Sequence, residues 1–486
     1  MSCKTIRSKC RVRRRPPASG RKPSLRLPIQ AIETSAEELL AFHRVFWACF
    51  RRREQRQWSL FYLCGLLSNL ERKTIEAMVL TLYGAKANAV RDLHRFMSDG
   101  CWDQFRLIDQ YQTLVAEWLS EPAGVVIADG SGFPKQGKHS VGVAYQYCGH
   151  LGKVANCQEG VFVAYASPLG YAFLDGRLYL PEEWFTAAYR ERWPACRIPE
   201  DQSFRHEPEL ALEMITALTQ RAVVPFQWVV ADEAYGKSPV FCDGIAALGK
   251  WYLVEVPSDT RVWLHTPAIE PPGQGLLGRP RLHPRVARGA PPPREVRELV
   301  ADLPKSKWIR RMIKEGSKGP LVAEFAFLRA TCLRQGLPGP RLWLVFRRTL
   351  GPERKIKFYF SNASTTCPRS EFIRVSGLRW PVETALEEGK GEAGMDHYET
   401  RTWPGWHRHM AHTFLAHLFL MRLRLLWQKK SCPDHGPGTP THRAGHRRRS
   451  SPLTRCAHAP ALSAMPQPCG LSFSSQTDFE ALSAAF

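Results

Sequence analysis

The sequence predicts an α/β fold of the α+β kind: a mixed sheet flanked by helices, behind an all-helical N-terminal region. Three observations predict it. Apolar residues recur at helical spacing up to about Leu119. From Gly124 the pattern switches to short continuous apolar runs. Two of those runs, Val125 to Ile127 and Phe226 to Ala231, each lead into an aspartate, and a helical segment separates them.

The elements follow in order. Residues 1–30 are rich in Lys, Arg and Pro and contain no acid, too polar to offset the entropy of ordering, so they are expected to form a flexible basic arm. Ser35 followed by Glu38 reads as a capping box, with Leu39, Phe42, Phe46, Cys49 and Phe50 as the apolar stripe of the helix it starts. Apolar stretches from Trp58 to Leu67 and Ile75 to Leu82 extend a helical domain to about residue 120. Val125 to Ile127 is a buried strand that ends at Asp129 and a Gly-Ser-Gly turn. Strand-like runs follow at Ser140–Tyr147, Gly160–Ala166 and Tyr171–Leu178, then a helix at Glu209–Thr219, a strand from Phe226 to Ala231 that ends at Asp232, and a fifth strand at Trp251–Val256. A Pro- and Gly-rich stretch and alternating segments make 258–350 a β-rich insertion. After Ile356–Phe360 the chain returns to helix, with Pro381 in a first helical turn and a last amphipathic helix over Met410–Trp427. The tail, 431–486, has no period and is expected to be disordered.

The chain has 486 residues, more than one core usually holds, and 68 Lys and Arg against 45 Asp and Glu give a net charge of +23. Such a surface attracts polyanions, with nucleic acid foremost. The richest apolar run is interrupted by His412, His417, Arg422 and Arg424, so no membrane span is expected. The arginine-rich start lacks the apolar core of a secretory signal, which points to a reducing compartment and free thiols. No Cys-x-x-Cys occurs among the 14 cysteines, so the spacing predicts no structural zinc.

Two aspartates at the ends of buried strands and a glutamate on a later helix are what a divalent-metal phosphoryl-transfer site requires. Carboxylates supply hard oxygen ligands, and two ions about 3.5–4 Å apart activate the attacking oxygen and stabilise the leaving one. The candidates are Asp129, Asp232 and Glu383. Arg379 lies one helical turn before Glu383 and Lys390 two turns after it, where basic groups could hold a phosphate; the same stripe, with Glu387, also reads as a solvated helix face. Lys135 and Lys138, after Asp129, read equally as DNA-tracking or solubilising lysines. Arg51, Arg52, Arg53 and Arg56 near Trp58 suggest phosphate contacts in the helical domain, and such a run also reads as a solvated face. Trp403, Trp406, His407 and His409 read as core or cap residues before base-stacking ones. Asn156-Cys157-Gln158 reads as a polar cluster packing the sheet as readily as a substrate contact.

Three segments carry a resemblance: ADGSGFPKQGKHSVGVAYQYCGHLGKVANCQ, VVADEAYG, and LRWPVETALEEGKGEAGMDHYETRTWPGWHRHM. From about Phe42 to Leu425 the chain resembles DDE-type insertion-sequence transposases marked by a Tyr-Arg-Glu-Lys signature, and within them the insertion sequence group seven-zero-one. The resemblance implies a ribonuclease-H-like core over 121–257, interrupted by the insertion at 258–350 and resumed with the Glu-bearing helix over 351–430, behind a DNA-binding domain over 31–120. It implies Asp129, Asp232 and Glu383 as catalytic metal ligands, Arg379 and Lys390 as the signature's basic residues, and two Mg²⁺ ions, for which Mn²⁺ could substitute. It also implies element-end and target DNA as partners, a homodimer on DNA, and a bacterial cytoplasm near the nucleoid. The chain departs from the pattern at Ser376, where the signature has tyrosine, at Gly130, where the group often has a second aspartate, and in its tail. Other readings remain: a metal-dependent nuclease without strand transfer, a catalytically silent DNA-binding relic or repressor, and an RNA binder.

Overall fold

The computed structural model describes residues 29–86, 88–273, 281–316, 319–351 and 354–431. The expected basic arm, but for its last two residues, and the expected tail, but for its first, lie outside them.

Five helices open the described chain: α1 (Ile29–Arg44), α2 (Arg53–Leu67), α3 (Ile75–Leu82), α4 (Ala89–Ser98) and α5 (Gln104–Leu119). Helix α1 begins six residues before Ser35, so the capping box falls inside the helix and does not start it. The Asp103 carboxylate accepts from the Phe105 N–H at 2.8 Å and caps α5.

The sheet begins with β1 (Val125–Pro134), β2 (Ala144–Cys148), β3 (Lys153–Ser167) and β4 (Gly170–Tyr179). Helix α6 (Glu207–Arg221) leads to β5 (Trp228–Ala231); the turn of helix α7 (Glu233–Gly236) and α8 (Pro239–Ala247) lead to β6 (Trp251–Val256). β1, β3 and β4 form an antiparallel meander, and β5 and then β6 join the other side of β1 in parallel, giving the core order β4-β3-β1-β5-β6. That order, with its antiparallel first three strands and parallel last two, is the ribonuclease-H-like arrangement.

The segment after β6 continues the same sheet. Strands β7 (Arg261–Trp263), β8 (Ile309–Gly316), β9 (Gly319–Arg334), β10 (Leu337–Thr349) and β11 (Ile356–Ser361) extend it in the order β7-β9-β10-β11-β6, with β8 on β9 and the short Arg294–Glu295 strand on β7. β1 does not turn at Gly130-Ser131-Gly132 as its composition suggests: it pairs with β3 from Val125 through Pro134. Tertiary pairing overrides the local preference of glycine for a turn.

Three helices close the chain: α9 (Arg369–Ser376), α10 (Trp380–Gly391) and α11 (Trp403–Ser431). From Gly405 to Phe419 every residue of α11 is buried, so the expected amphipathic helix is a central one. It packs on β4 and on α2, α4 and α5. Its polar side chains are therefore obliged to find partners. His409 faces Tyr62 OH through Nδ1 (2.8 Å) and the Met395 carbonyl through Nε2 (3.1 Å), so Nε2 carries the proton and Nδ1 accepts. Ser59 Oγ sits between His43 Nε2 (3.1 Å) and His412 Nε2 (3.0 Å). Burial lowers His409 to about 3 and His412 to about 4, so both are neutral. None of the described helices is long and apolar enough to cross a membrane.

Arg408 makes a three-carbonyl polar tie between α11 and the N-terminal helical region. Its guanidinium donates to the carbonyls of Met97 (3.2 Å), Gly100 and Trp102 (2.8 Å) and lies 4.8 Å from the Trp102 ring centroid. Arg408→Met keeps the apolar stem and strands those carbonyls. A loss of about 2–3 kcal/mol is expected, read as a lower urea midpoint at unchanged slope; an unchanged midpoint would show that water serves the carbonyls equally well.

Candidate active site

The site is built where the parallel pairing of β1, β5 and β6 ends. Val125 to Ala128 of β1 are fully buried between β3 and β5, and the register pairs Ala128 with Ala231. The next residues, Asp129 and Asp232, therefore stand side by side on strands roughly 4.8 Å apart. Ala231 pairs in turn with Val254 of β6, which puts Glu255 third in the row. The Asp129 carboxylate accepts from the Gly130 N–H at 2.9 Å, and Asp232 caps α7 by accepting from the Ala234 N–H at 2.9 Å.

Helix α10 adds the fourth acid. Pro381 lies in its first turn, where the missing N–H is harmless, and Glu383 projects from that same turn. Arg379, immediately before the helix, fans out over the row: Nη1 lies 3.5 Å from Asp129 Oδ2, Nε lies 3.5 Å from Glu255 Oε1, and Nη2 binds the Glu383 carboxylate. One guanidinium thus gathers acids from β1, β6 and α10. Lys357 on β11 binds the two oxygens of Glu255 at 2.7 and 3.0 Å.

Behind the row sits Glu207, in the first turn of α6. Its Oε2 is 3.2 Å from where a Cβ on Gly130 would stand, so the absent side chain at Gly130 makes room for this carboxylate. Tyr235 of α7 is 1% exposed, and its hydroxyl has no hydrogen-bond partner among the described residues, although Glu207, Asp129, Asp232 and Glu159 all lie within electrostatic reach of it.

The electrostatics follow from this crowding. Burial, then Asp232, pushes Asp129 up to about 7 against the pull of Arg379 and the Gly130 N–H. Burial also raises Asp232, and burial and Asp232 together raise Glu207. Arg379 and Lys357 offset only part of the negative charge. Every donor is an oxygen, the ligand chemistry of a hard divalent cation, and an orphaned buried hydroxyl faces the same space; the residues fit such an ion.

Asp129, Asp232, Arg379 and Glu383, four of the residues singled out from sequence, come together. The others lie apart from the carboxylate row. Lys390 points along β1, where its Nζ donates to the Gly132 carbonyl at 3.0 Å and lies 5.0 Å from the Phe133 ring centroid. Lys135 is tucked inward, donating to the Tyr398 carbonyl at 3.1 Å with its ammonium 3.5 Å from that ring's centroid. Lys138 is exposed, and Arg51, Arg52 and Arg53 are exposed at the start of α2 in a groove shared with Trp58, Arg95 and Phe96. Ser376 is buried, its hydroxyl donating to the Ile373 carbonyl at 2.8 Å. Asn156 and Gln158 are spent on internal partners: Asn156 donates to the carbonyls of Lys135 (2.7 Å) and Gly137 (3.0 Å), and Gln158 donates to that of Val141 (2.5 Å) and accepts from the Tyr398 hydroxyl (2.8 Å). Sequence reasoning missed Glu255, Glu207, Tyr235 and Lys357. A lone acid near the end of the apolar run Trp251–Val256 was the available signal for Glu255.

Against known proteins, residues 45–320 match the family model described as DDE superfamily endonuclease. The chain is 25% identical over 348 residues to a probable transposase for insertion sequence element IS701 from Microchaete diplosiphon, an alignment covering 70% of this chain and 76% of that protein. Among solved structures it is similar to the NurA nuclease from Sulfolobus solfataricus at 11% identity, over 67% of this chain and 91% of that one, with a TM-score of 0.26.

Proposed function

The chain belongs to the DDE superfamily of endonucleases, and on that footing we propose that it is a DNA transposase that binds the ends of its own element, cuts a phosphodiester bond there with two divalent ions, and joins the freed 3′-hydroxyl to a second strand. The observation that carries the reading is the convergence of Asp129, Glu255 and Glu383 on the Arg379 guanidinium, with Asp232 in register beside Asp129. The relative named as a probable transposase supports it.

Asp129 and Asp232 would hold the ions from the sheet, and Glu383 would complete the set from α10. Mg²⁺ or Mn²⁺ held there would supply an activated water and neutralise the charge that develops on the phosphate. Arg379, a planar donor already aimed at three carboxylates, is placed to take a phosphate oxygen when DNA enters, and Lys357 keeps Glu255 in position. Exposed Arg51, Arg52, Arg53 and Lys138 would bind backbone phosphates, which carry affinity without sequence information. Two copies would pair on the two element ends.

The test is an incubation of purified protein with an oligonucleotide bearing the inverted repeats that flank its gene, with and without Mg²⁺. Metal-dependent nicking at the repeat end and a joined product on added target DNA are expected. Nicking without joined product would reduce the protein to a nuclease, and retention of the repeat without nicking would make it a silent DNA binder.

A further inference from the structure

A second cluster of ligand-bearing side chains lies beside β1, outside the carboxylate row. Cys148 at the end of β2 and Cys157 and Glu159 on β3 bring their two sulfurs and a carboxylate oxygen within 4.8 Å of one another. Cys157 and Glu159 are two residues apart on β3, so they share one face of the strand.

 The sulfurs are fully buried and Glu159 is 8% exposed. Gly132, which pairs with Glu159 across β1 and β3, makes the approach possible: a Cβ there would lie 2.6 Å from both Cys148 Sγ and Glu159 Oε1. Cys157 Sγ makes only long contacts to Glu159 Oε1 and to the Gln146 carbonyl among the described residues, each at 3.9 Å, and it also faces Cys148.

We propose that Cys148, Cys157 and Glu159 form a zinc site separate from the carboxylate row. Two thiolates and a carboxylate suit a borderline-soft ion and not Mg²⁺, which prefers oxygen alone. A tetrahedral ion with bonds of about 2.3 Å to sulfur and about 2.0–2.2 Å to oxygen needs its donors roughly 3.5–3.8 Å apart, a small side-chain adjustment from the arrangement present. The charges balance: three anionic ligands meet a divalent ion and the Lys390 ammonium, which lies within electrostatic reach of Cys148 and Glu159 and is anchored on the Gly132 carbonyl at 3.0 Å. Three protein ligands leave a fourth position for water. Occupied, the site ties the end of β2 to β3 beside Gly132 of β1, next to Lys390 of the helix that carries Glu383. The proposal does not depend on the transposase reading, because it concerns different ligands and a different metal.

The full-length protein, purified under reducing conditions without chelator, is expected to carry about one zinc per chain by elemental analysis. Exchange into Co²⁺ should produce the intense near-ultraviolet thiolate-to-cobalt band, which cobalt bound to carboxylates alone does not give. That spectrum is read on the wild-type protein, so it stands even if Cys148→Ser or Cys157→Ser fails to fold. If the variants fold, each should lose the band and the zinc, and Glu159→Gln should raise the zinc dissociation constant at least about tenfold. A cobalt-loaded wild-type protein without the thiolate band, or a disulfide between the two cysteines in the reduced preparation, overturns the proposal.

Discussion

Asp129→Asn is expected to lower the rate of metal-dependent strand cleavage by about 10³-fold or more while changing DNA affinity by no more than a few-fold. A bound ion contributes several kcal/mol of transition-state stabilisation, and each 1.36 kcal/mol is a factor of ten in rate. The amide keeps the shape of the carboxylate and can still accept from the Gly130 N–H, so the strand register should survive. What it removes is the anionic ligand beside Asp232. Because the carboxylates outnumber the cations around them, the same change should leave the metal-free protein more stable near neutral pH, the usual sign that a group is kept for function at a cost in stability. Cleavage of an end-containing oligonucleotide and a gel-shift titration measure the two effects separately. A variant that cuts within tenfold of the wild-type rate would remove Asp129 from the reaction.

The parts of this site that were legible in the sequence are the parts encoded locally. Asp129 and Asp232 follow short continuous apolar runs that read as buried strands, which places an acid at the exit of each. Glu383 has no such mark: with Glu387 and Lys390 it forms a stripe like that of any solvated helix, and only the resemblance of its segment to a known signature distinguished it. Glu255 and Glu207 were hidden because their meaning is topological. Glu255 matters because β6 lies parallel to β5, and Glu207 because the first turn of α6 approaches Gly130; in sequence, one is an acid at a strand end and the other an acid at a helix start, where the helix dipole favours it anyway.

Trp251–Val256 was read to the residue because its apolar run has no competing pattern. β1 was cut short because Gly-Ser-Gly favours a turn in isolation, and the antiparallel partner that holds it extended lies beyond an intervening hairpin. Lys135 read as a loop lysine because its partner, Tyr398, is 263 residues away. The cysteine pair was invisible to a search for short spacings, since Cys148 and Cys157 meet across strands and not within one turn.

Metal-free protein should lose stability as pH rises from about 4 to about 7, and Mg²⁺ should restore it at the upper end. Asp129 has an ordinary value of 3.8 and is held at about 7 by burial and by Asp232. Below about 4 it is protonated in both the folded and the unfolded chain, and its full contribution is present. Between the two values the unfolded chain releases the proton and the folded one retains it, so stability falls with rising pH; above about 7 both are ionised and the loss is complete. A shift of this size corresponds to roughly 4 kcal/mol. Glu159, raised to about 8 by burial and Glu207, acts in the same direction over a similar window. Glu388 acts oppositely: burial works to raise it, but His417 and Arg424 bring it down to about 2, so its contribution is lost only on acidification below about 4.5. Comparing wild type with Asp129→Asn therefore isolates the share due to Asp129. Divalent ions must displace the proton that Asp129 holds, so the gain in thermal midpoint on adding Mg²⁺ should be small near pH 5, large near pH 7.5, and much reduced in the variant. Scanning calorimetry in chelator and in Mg²⁺ at both pH values measures it. A metal-free profile that is flat across the window, or a gain from Mg²⁺ that is equal at both pH values, would mean that Asp129 is not held protonated by its neighbours and does not bind the ion.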